Sequence, residues 1–377
     1  MRRRRRAGEA DGAGRRRGAR AGWSGSCGLG EAQRDRRRPR PGQGVAWCSS
    51  RRAGQGPDRR LIGRAALFDV GTFVVGFAIA FVLYPFAIRA LRRVRSEQVI
   101  QDELPDTHQR KAGTPTGGGI LFVALAILGG ALATIAGHSG ALPAVAGLIA
   151  GALIGFADDR SKLRVGTRGI PARLKFPLQL LLAVPVAWLA TVQGGPQLFL
   201  PVTPWLVFPL AVIAIVATAN AVNITDGMDG LAGGLTVIAV GATALFLPGA
   251  PAGEKAVAMT LCGALVAFLV FNRYPARVFM GDTGALAIGF ALAAMAIQQG
   301  ILLLLPIVGL VFVLETLSVI IQVAYFKASG GRRVFTMTPI HYTFHHEGWS
   351  ENRIALSFWG AGLISALAAI ALVRLLT

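Results

Sequence analysis

Cysteine is almost missing from this 377-residue chain, and the three present share no neighbourhood. Cys27 and Cys48 lie in an arginine-rich leading stretch and Cys262 in an apolar run, so neither a disulfide framework nor a cysteine–histidine metal spacing exists. Charge is scarce as well: 15% of residues are Asp, Glu, Lys or Arg, against 53% hydrophobic and a mean hydropathy of +0.54. So little charge cannot cover a water-exposed surface, which excludes an ordinary soluble domain. No apolar segment of the signal-peptide kind precedes Leu61. The glycine-rich stretches lack Walker spacing, so P-loop nucleotide hydrolysis is unsupported. Acids are missing from the middle of most apolar runs; Glu315 is the exception, and the sequence offers it no role.

What is present is uneven. The net charge of +20 would suggest nucleic acid if it were spread evenly, but residues 1–60 carry eighteen arginines against five acids. That stretch is Gly- and Pro-rich with few aliphatic residues, so a disordered extension is expected over 1–60 and a membrane domain over 61–377. Apolar runs then recur at roughly 67–90, 117–136, 141–157, 174–192, 204–222, 231–248, 255–271, 284–298, 301–325 and 354–376. These lengths are those of bilayer-crossing helices. The expected fold is all-α, a polytopic membrane protein of about ten helices, the eighth being short. Lys and Arg fill alternate connections, among them Arg92, Arg93, Arg160, Lys162, Arg273, Arg277, Arg332 and Arg333. The positive-inside rule makes these connections cytoplasmic and both termini extracytoplasmic. An arginine-dense tail on the exported side breaks the same rule, so the natural chain is expected to begin near Leu61.

The polar motifs fall on the expected cytoplasmic side. Asp102, Asp106, His108 and Lys111 precede Gly113–Gly119, Asp158 and Asp159 end the third span, and Asp282 opens the eighth. His341, His345, His346 and Glu347 occupy the last long loop. After the fifth span comes Asn220 to Gly234, where Asn223, Asp226 and Asp229 recur at threefold spacing that would gather them on one side of a helical turn. Glycines 227, 230, 233 and 234 would let backbone N–H groups approach a phosphate. By itself this stretch is equally a polar hairpin tip.

Five polar turns on one face point to a site. Asp158 and Asp159 side by side raise each other's pKa, a conflict resolved either by a divalent cation or by pairing with Arg160 or Lys162 at a solvated helix end. Magnesium favours one or two carboxylates plus substrate phosphates, and Asp158, Asp159, Asp226, Asp229 and Asp282 make a ligand pool. Gly113–Gly119 with Lys111 reads either as a phosphate cradle or as punctuation before a helix. Phe279, three residues before Asp282, could stack a base; His341 could hold phosphate or move a proton. Phosphoryl transfer needs mainly positioning and charge neutralisation, which these groups supply. An ion-coupled transporter is the rival class, although its acids would line the mid-membrane.

Together the ordered motifs resemble the polyprenyl-phosphate N-acetylhexosamine-1-phosphate transferases over about residues 66–377. Carrying the resemblance are Gln98-Val-Ile, His108 through Gly119, Gly155-Phe-Ala-Asp-Asp159, Asn220 through Gly234, Phe271-Asn272 and Phe279 through Gly284. Thr338-Pro-Ile-His341, Gly348-Trp349 and Phe358-Trp359 complete it. The resemblance implies ten helices in a bacterial plasma membrane and a magnesium-dependent cytoplasmic cleft. It further implies transfer of phospho-MurNAc-pentapeptide from UDP-MurNAc-pentapeptide to undecaprenyl phosphate with release of UMP. No nucleic-acid partner is expected, and a homodimer is an open alternative to a monomer, since the sequence does not reveal oligomeric state. UDP-GlcNAc is the alternative donor. By matching, Asp282 is the magnesium ligand; Asp158, Asp159, Asp226 and His341 are catalytic; Lys111, Thr116, Asn223, Asp229, Asn272 and Phe279 contact substrate. The chain departs from the family pattern at Gly117, at Ala285 and at His341-Tyr-Thr-Phe-His345, which stands where a histidine triplet is usual. These departures bear on sugar recognition more than on reaction type.

Overall fold

The computed structural model describes residues 59–94, 113–165, 169–198 and 203–376. Contacts divide the chain into Met1–Gln55 and Gly56–Thr377. Of the extension expected over 1–60, residues 1–58 lie outside the described residues, as do Asp102, Asp106, His108 and Lys111, whereas Arg59 and Arg60 already belong to the first helix.

Among the described residues twelve α-helices follow one another: α1 Arg59–Arg93, α2 Gly119–Ile135, α3 Leu142–Val165, α4 Ala172–Gln193, α5 Pro204–Thr225, α6 Leu231–Leu245, α7 Ala252–Asn272, α8 Gly281–Gln298, α9 Leu305–Val308, α10 Leu310–Ala328, α11 Ile340–His346 and α12 Glu351–Leu376. A 3₁₀ turn, Leu302–Leu304, precedes α9. Eight of them (α1, α3, α4, α5, α7, α8, α10 and α12) are long and apolar enough to cross a membrane. The protein is thus an all-helical, multi-pass membrane protein, as its composition required. The ten apolar runs are all helical, the ninth in pieces, but the short ones are α2 and α6, at 17 and 15 residues. The eighth is longer than expected, 18 residues, because Gly281, Asp282 and Thr283 join it.

Two further boundaries differ from expectation for stated reasons. The run 301–325 is broken: Pro306 has no N–H to continue a ladder, and the short α9 ends at Gly309, so the spanning helix starts only at Leu310. The third helix does not end at Asp159 but continues to Val165, which puts Lys162 one turn beyond Asp158 on the same face.

At the centre stands α8, buried at every position from Thr283 to Gln298. It packs against α3, α5, α2 and α4. Outer helices such as α1 instead leave Leu67, Val70, Val74 and Val75 exposed, the face that lipid covers. Lipid gives no hydrophobic reward for joining two apolar helices, so close backbone approach has to hold them. Gly147, Gly151 and Gly155, four apart on α3, provide it. A Cβ on Gly151 would stand 2.6 Å from Cα of Ala287, and one on Gly155 would collide with the backbone of Asp282 and Thr283. The glycine seam therefore sets α3 directly on α8 and delivers Asp158 and Asp159, at its end, to the first turn of α8.

Candidate active site

Asp159 is spent at that junction. Its Oδ1 accepts the Asp282 N–H at 3.0 Å, and its Oδ2 accepts the Thr283 N–H at 3.0 Å and the Thr283 hydroxyl at 2.6 Å. The first N–H groups of α8 have no partner within their own helix, and a carboxylate there also meets the positive end of the helix dipole. Asp159 thus caps α8 from another helix and fixes where Asp282 points.

Asp282 and Asp158 face each other across two ammonium groups. Lys175 Nζ lies 2.6 Å from Asp282 Oδ2 and 3.2 Å from Asp158 Oδ2. Lys162 Nζ lies 2.9 Å from Asp282 Oδ1 and 3.1 Å from Asp158 Oδ2. The other oxygen of Asp158 accepts the Ile170 N–H at 2.7 Å. Asn223, in the last turn of α5, donates from Nδ2 to Asp282 Oδ1 at 3.1 Å. Asn220, one turn earlier, donates at 2.8 Å to Gln179 of α4, tying those helices together below the site. The pairing of Asp158 with Lys162, one of two readings the sequence left open, is observed. Lys175 was missed; a lysine inside an apolar run was the signal that could have found it.

Asp226 closes α5 and sits half-buried beside this cluster. Burial, then the charges of Asp282, Asp159 and Asp229, push its pKa well above the usual carboxylate range, and Lys162 only partly opposes them. The threefold pattern does not gather on one face, because the helix stops at Thr225. Asp229 lies in the following turn, buried, where its Oδ2 accepts the Ala276 N–H at 2.9 Å. Asn272 is also buried and both ends of its amide are committed: Oδ1 accepts the Gly230 N–H and Nδ2 donates to the Val278 carbonyl, each at 2.9 Å. These two side chains brace the walls of the cleft.

The stretch Gly113–Gly119 reaches the site, but not with bare donors throughout. Gly118 and Gly119 give their N–H groups to the carbonyls of Phe279 and Met280, and the Phe279 N–H returns to the Pro115 carbonyl, all at 2.9 Å. The pairing carries Phe279, half-buried, along one edge and brings Thr116 against Gly281, whose positive φ of 77° turns the chain into α8. His341 lies fully buried against Gly227. Although His341 and His345 are four apart, they do not converge: Nδ1 of His345 meets the Trp349 carbonyl at 3.0 Å, while His341 faces Glu315. His345, His346, Trp349 and Tyr274 line an open cleft of about 580 Å³ together with Glu351, whose Oε2 accepts the Asp229 N–H at 3.3 Å. Asp158 and Asp159, Asn223 and Asp226, Asp282 and the Gly113–Gly119 stretch therefore meet at one place, with His341 against Gly227 beside it, and Lys111 lies outside the described residues.

The donor chemistry suits a hard divalent cation. Among the described residues the candidate ligands at the centre are carboxylate oxygens, those of Asp158 and Asp282 with Asp226 beside them, set against the ammonium groups of Lys162 and Lys175. No group of three or more His, Cys, Asp or Glu side chains forms a ready metal cage among the described residues. One or two carboxylates completed by substrate oxygens remain, which is the usual arrangement for magnesium.

Residues 141–300 match the model of a family described as "Glycosyl transferase family 4". A phospho-N-acetylmuramoyl-pentapeptide-transferase of Heliobacterium modesticaldum is 43% identical over 309 residues, covering 79% of this chain and 95% of the relative. The protein of that name from Geobacillus kaustophilus is 42% identical over 314 residues, covering 78% and 94%. One from Listeria monocytogenes is 37% identical over 318 residues, covering 81% and 98%.

Proposed function

The chain belongs to the phospho-N-acetylmuramoyl-pentapeptide-transferases within glycosyl transferase family 4, and from that premise we propose that it transfers phospho-MurNAc-pentapeptide from UDP-MurNAc-pentapeptide to undecaprenyl phosphate, making lipid I and UMP. The observation that carries this reading is the meeting of Asp158, Asp282, Lys162, Lys175 and Asn223 at one point, at the end of the central helix. Acids and ammonium groups so placed suit a diphosphate with its counter-ion. The cleft opens where Lys and Arg crowd the connections, which supports a cytoplasmic site in a bacterial plasma membrane.

A phosphate oxygen of the acceptor lipid attacks the phosphorus next to the sugar, and the bond to the departing UMP breaks. Lys162 and Lys175 leave the carboxylates they hold at rest and take up the diphosphate oxygens as point charges. Asp282 and Asp158 would hold magnesium, which when bound offsets charge on the diphosphate. Asn223 orients Asp282, and Asp159 keeps the first turn of α8 in register. Asp226, freed of its proton, accepts one from the acceptor phosphate.

The last role has a pH signature. A carboxyl whose folded pKa is raised stabilises the fold when protonated, fully so below the unfolded value, and that stability is lost as pH rises through the folded value. Turnover should rise over the same interval as Asp226 ionises. Melting temperature and UMP release, followed in detergent from about pH 4 to about pH 8, should therefore slope in opposite directions. Asp226→Asn should flatten the stability slope and abolish the rise; an unchanged pair of profiles would remove Asp226 from this role.

The donor is tested with membranes containing the chain, incubated with radiolabelled UDP-MurNAc-pentapeptide or UDP-GlcNAc and undecaprenyl phosphate. Magnesium-dependent labelling of lipid from the muramoyl donor is expected. Labelling from UDP-GlcNAc alone would replace the assigned substrate.

A further inference from the structure

Glu315, which the sequence left without a role, is completely buried in α10 although many of its neighbours on that helix face outward. Its Oε2 stands 3.0 Å from Nδ1 of His341, equally buried in α11. Either group alone would be an isolated ionisable side chain out of water, a costly state, whereas together each offsets the other. Among the described residues neither ring nitrogen and neither Glu315 oxygen makes an aligned hydrogen bond, the Nδ1–Oε2 approach being a close contact only, and the opposite nitrogen is Nε2. It faces the turn that follows α5: a Cβ on Gly227 would stand 2.7 Å from it. The Tyr342 ring lies tilted against the imidazole, centroids 4.3 Å apart, while its hydroxyl donates to the Gly227 carbonyl at 3.0 Å. The imidazole is thus held by a carboxylate on one side, an aromatic ring on its face and a glycine at the other nitrogen.

We propose that Glu315 is a positioning residue that acts through His341. It takes the Nδ1–H, which selects the tautomer whose Nε2 carries a lone pair, and that lone pair, buried against Gly227, keeps the Asp226–Asp229 turn in the place the substrate needs. The partner of one imidazole nitrogen determines what the other can do. Gly227 is required there because any side chain would strike Nε2. The assignment rests on the reading of this turn as part of the transferase cleft.

Two measurements test it. In protein labelled with nitrogen-15 histidine, the His341 signals, assigned by their loss in His341→Asn, should report the Nδ1–H tautomer, and Glu315→Ala should redistribute them. An Nε2–H tautomer in the unsubstituted protein would overturn the proposal whatever the protein's substrate. In the UMP-release assay, Glu315→Ala should lower kcat about 100-fold with KM within about threefold, and Glu315→Asp should recover part of the loss. Added to His341→Ala, Glu315→Ala should cost nothing further, because a residue that acts through another is silent once that other is gone. Full additive loss would make Glu315 a structural residue only. No UMP release by the unsubstituted protein, together with the Nδ1–H tautomer, would reject the transferase reading and leave the Glu315–His341 geometry standing.

Discussion

Replacing Asp282 by Asn is expected to lower UMP release at least about 10³-fold while the protein remains folded. Asn keeps the size and shape of the side chain, so the capping bonds from Asp159 to the backbone of Asp282 and Thr283 survive. What disappears is the negative charge that meets Lys162 and Lys175 at 2.9 and 2.6 Å. With it goes a carboxylate that contacts both lysines and Asn223 at once. The comparison with Asp159→Asn separates two jobs. At Asp159 the loss should fall on stability as well, because an amide can satisfy fewer of the three N–H and O–H donors that converge there. Melting temperature and turnover measured side by side give the answer: Asp282→Asn should move turnover far more than melting, and Asp159→Asn should move both. Turnover of Asp282→Asn within about threefold of the parent would take Asp282 out of the reaction.

Gly155→Leu is expected to have the largest effect on the fold, preventing accumulation of folded protein or lowering stability by about 3 kcal/mol or more. Gly155→Ala is the milder form. A Cβ at this place would meet main-chain atoms of Asp282 and Thr283, which cannot swing aside as a side chain can. The helices would have to part, and the parting occurs where Asp159 reaches across to α8. Turnover should therefore fall even in whatever fraction stays folded. Gly241 of α6 has open space beside it, so Gly241→Ala should change stability by no more than about 0.5 kcal/mol. Size-exclusion profiles and melting curves in detergent decide the matter. Equal behaviour of the Gly155 and Gly241 substitutions would mean that the α3–α8 seam does not hold the site together.

Much of this could be read before any coordinates. The hydropathy runs required helices, and helices alone satisfy a backbone in lipid. Asp158, Asp226 and Asp282 stood out because acids at the edge of apolar runs are costly unless used. Other features were hidden by the nature of the signal. Lys175 looked like the edge of a span, since periodicity says nothing about which residue 107 positions away it will meet. Asn272 looked like a group that meets ligand, but an amide bonding two backbone groups and one meeting a nucleotide leave the same letter in the sequence. Glu315 looked stranded because its partner, His341, comes after a break in the helices.

The sequence by itself determined that this chain is a bundle of membrane helices whose acids, Glu315 apart, gather toward the ends of its apolar runs, because lipid penalises charge and unpaired backbone alike. Which acids cooperate was decided only by the packing. A seam of glycines brings α3 onto α8, and that contact makes Asp159 a cap, Asp282 the centre of the cluster, and two lysines its counter-charges. Distance in space is what electrostatics responds to, and here it is set by how closely two backbones can approach.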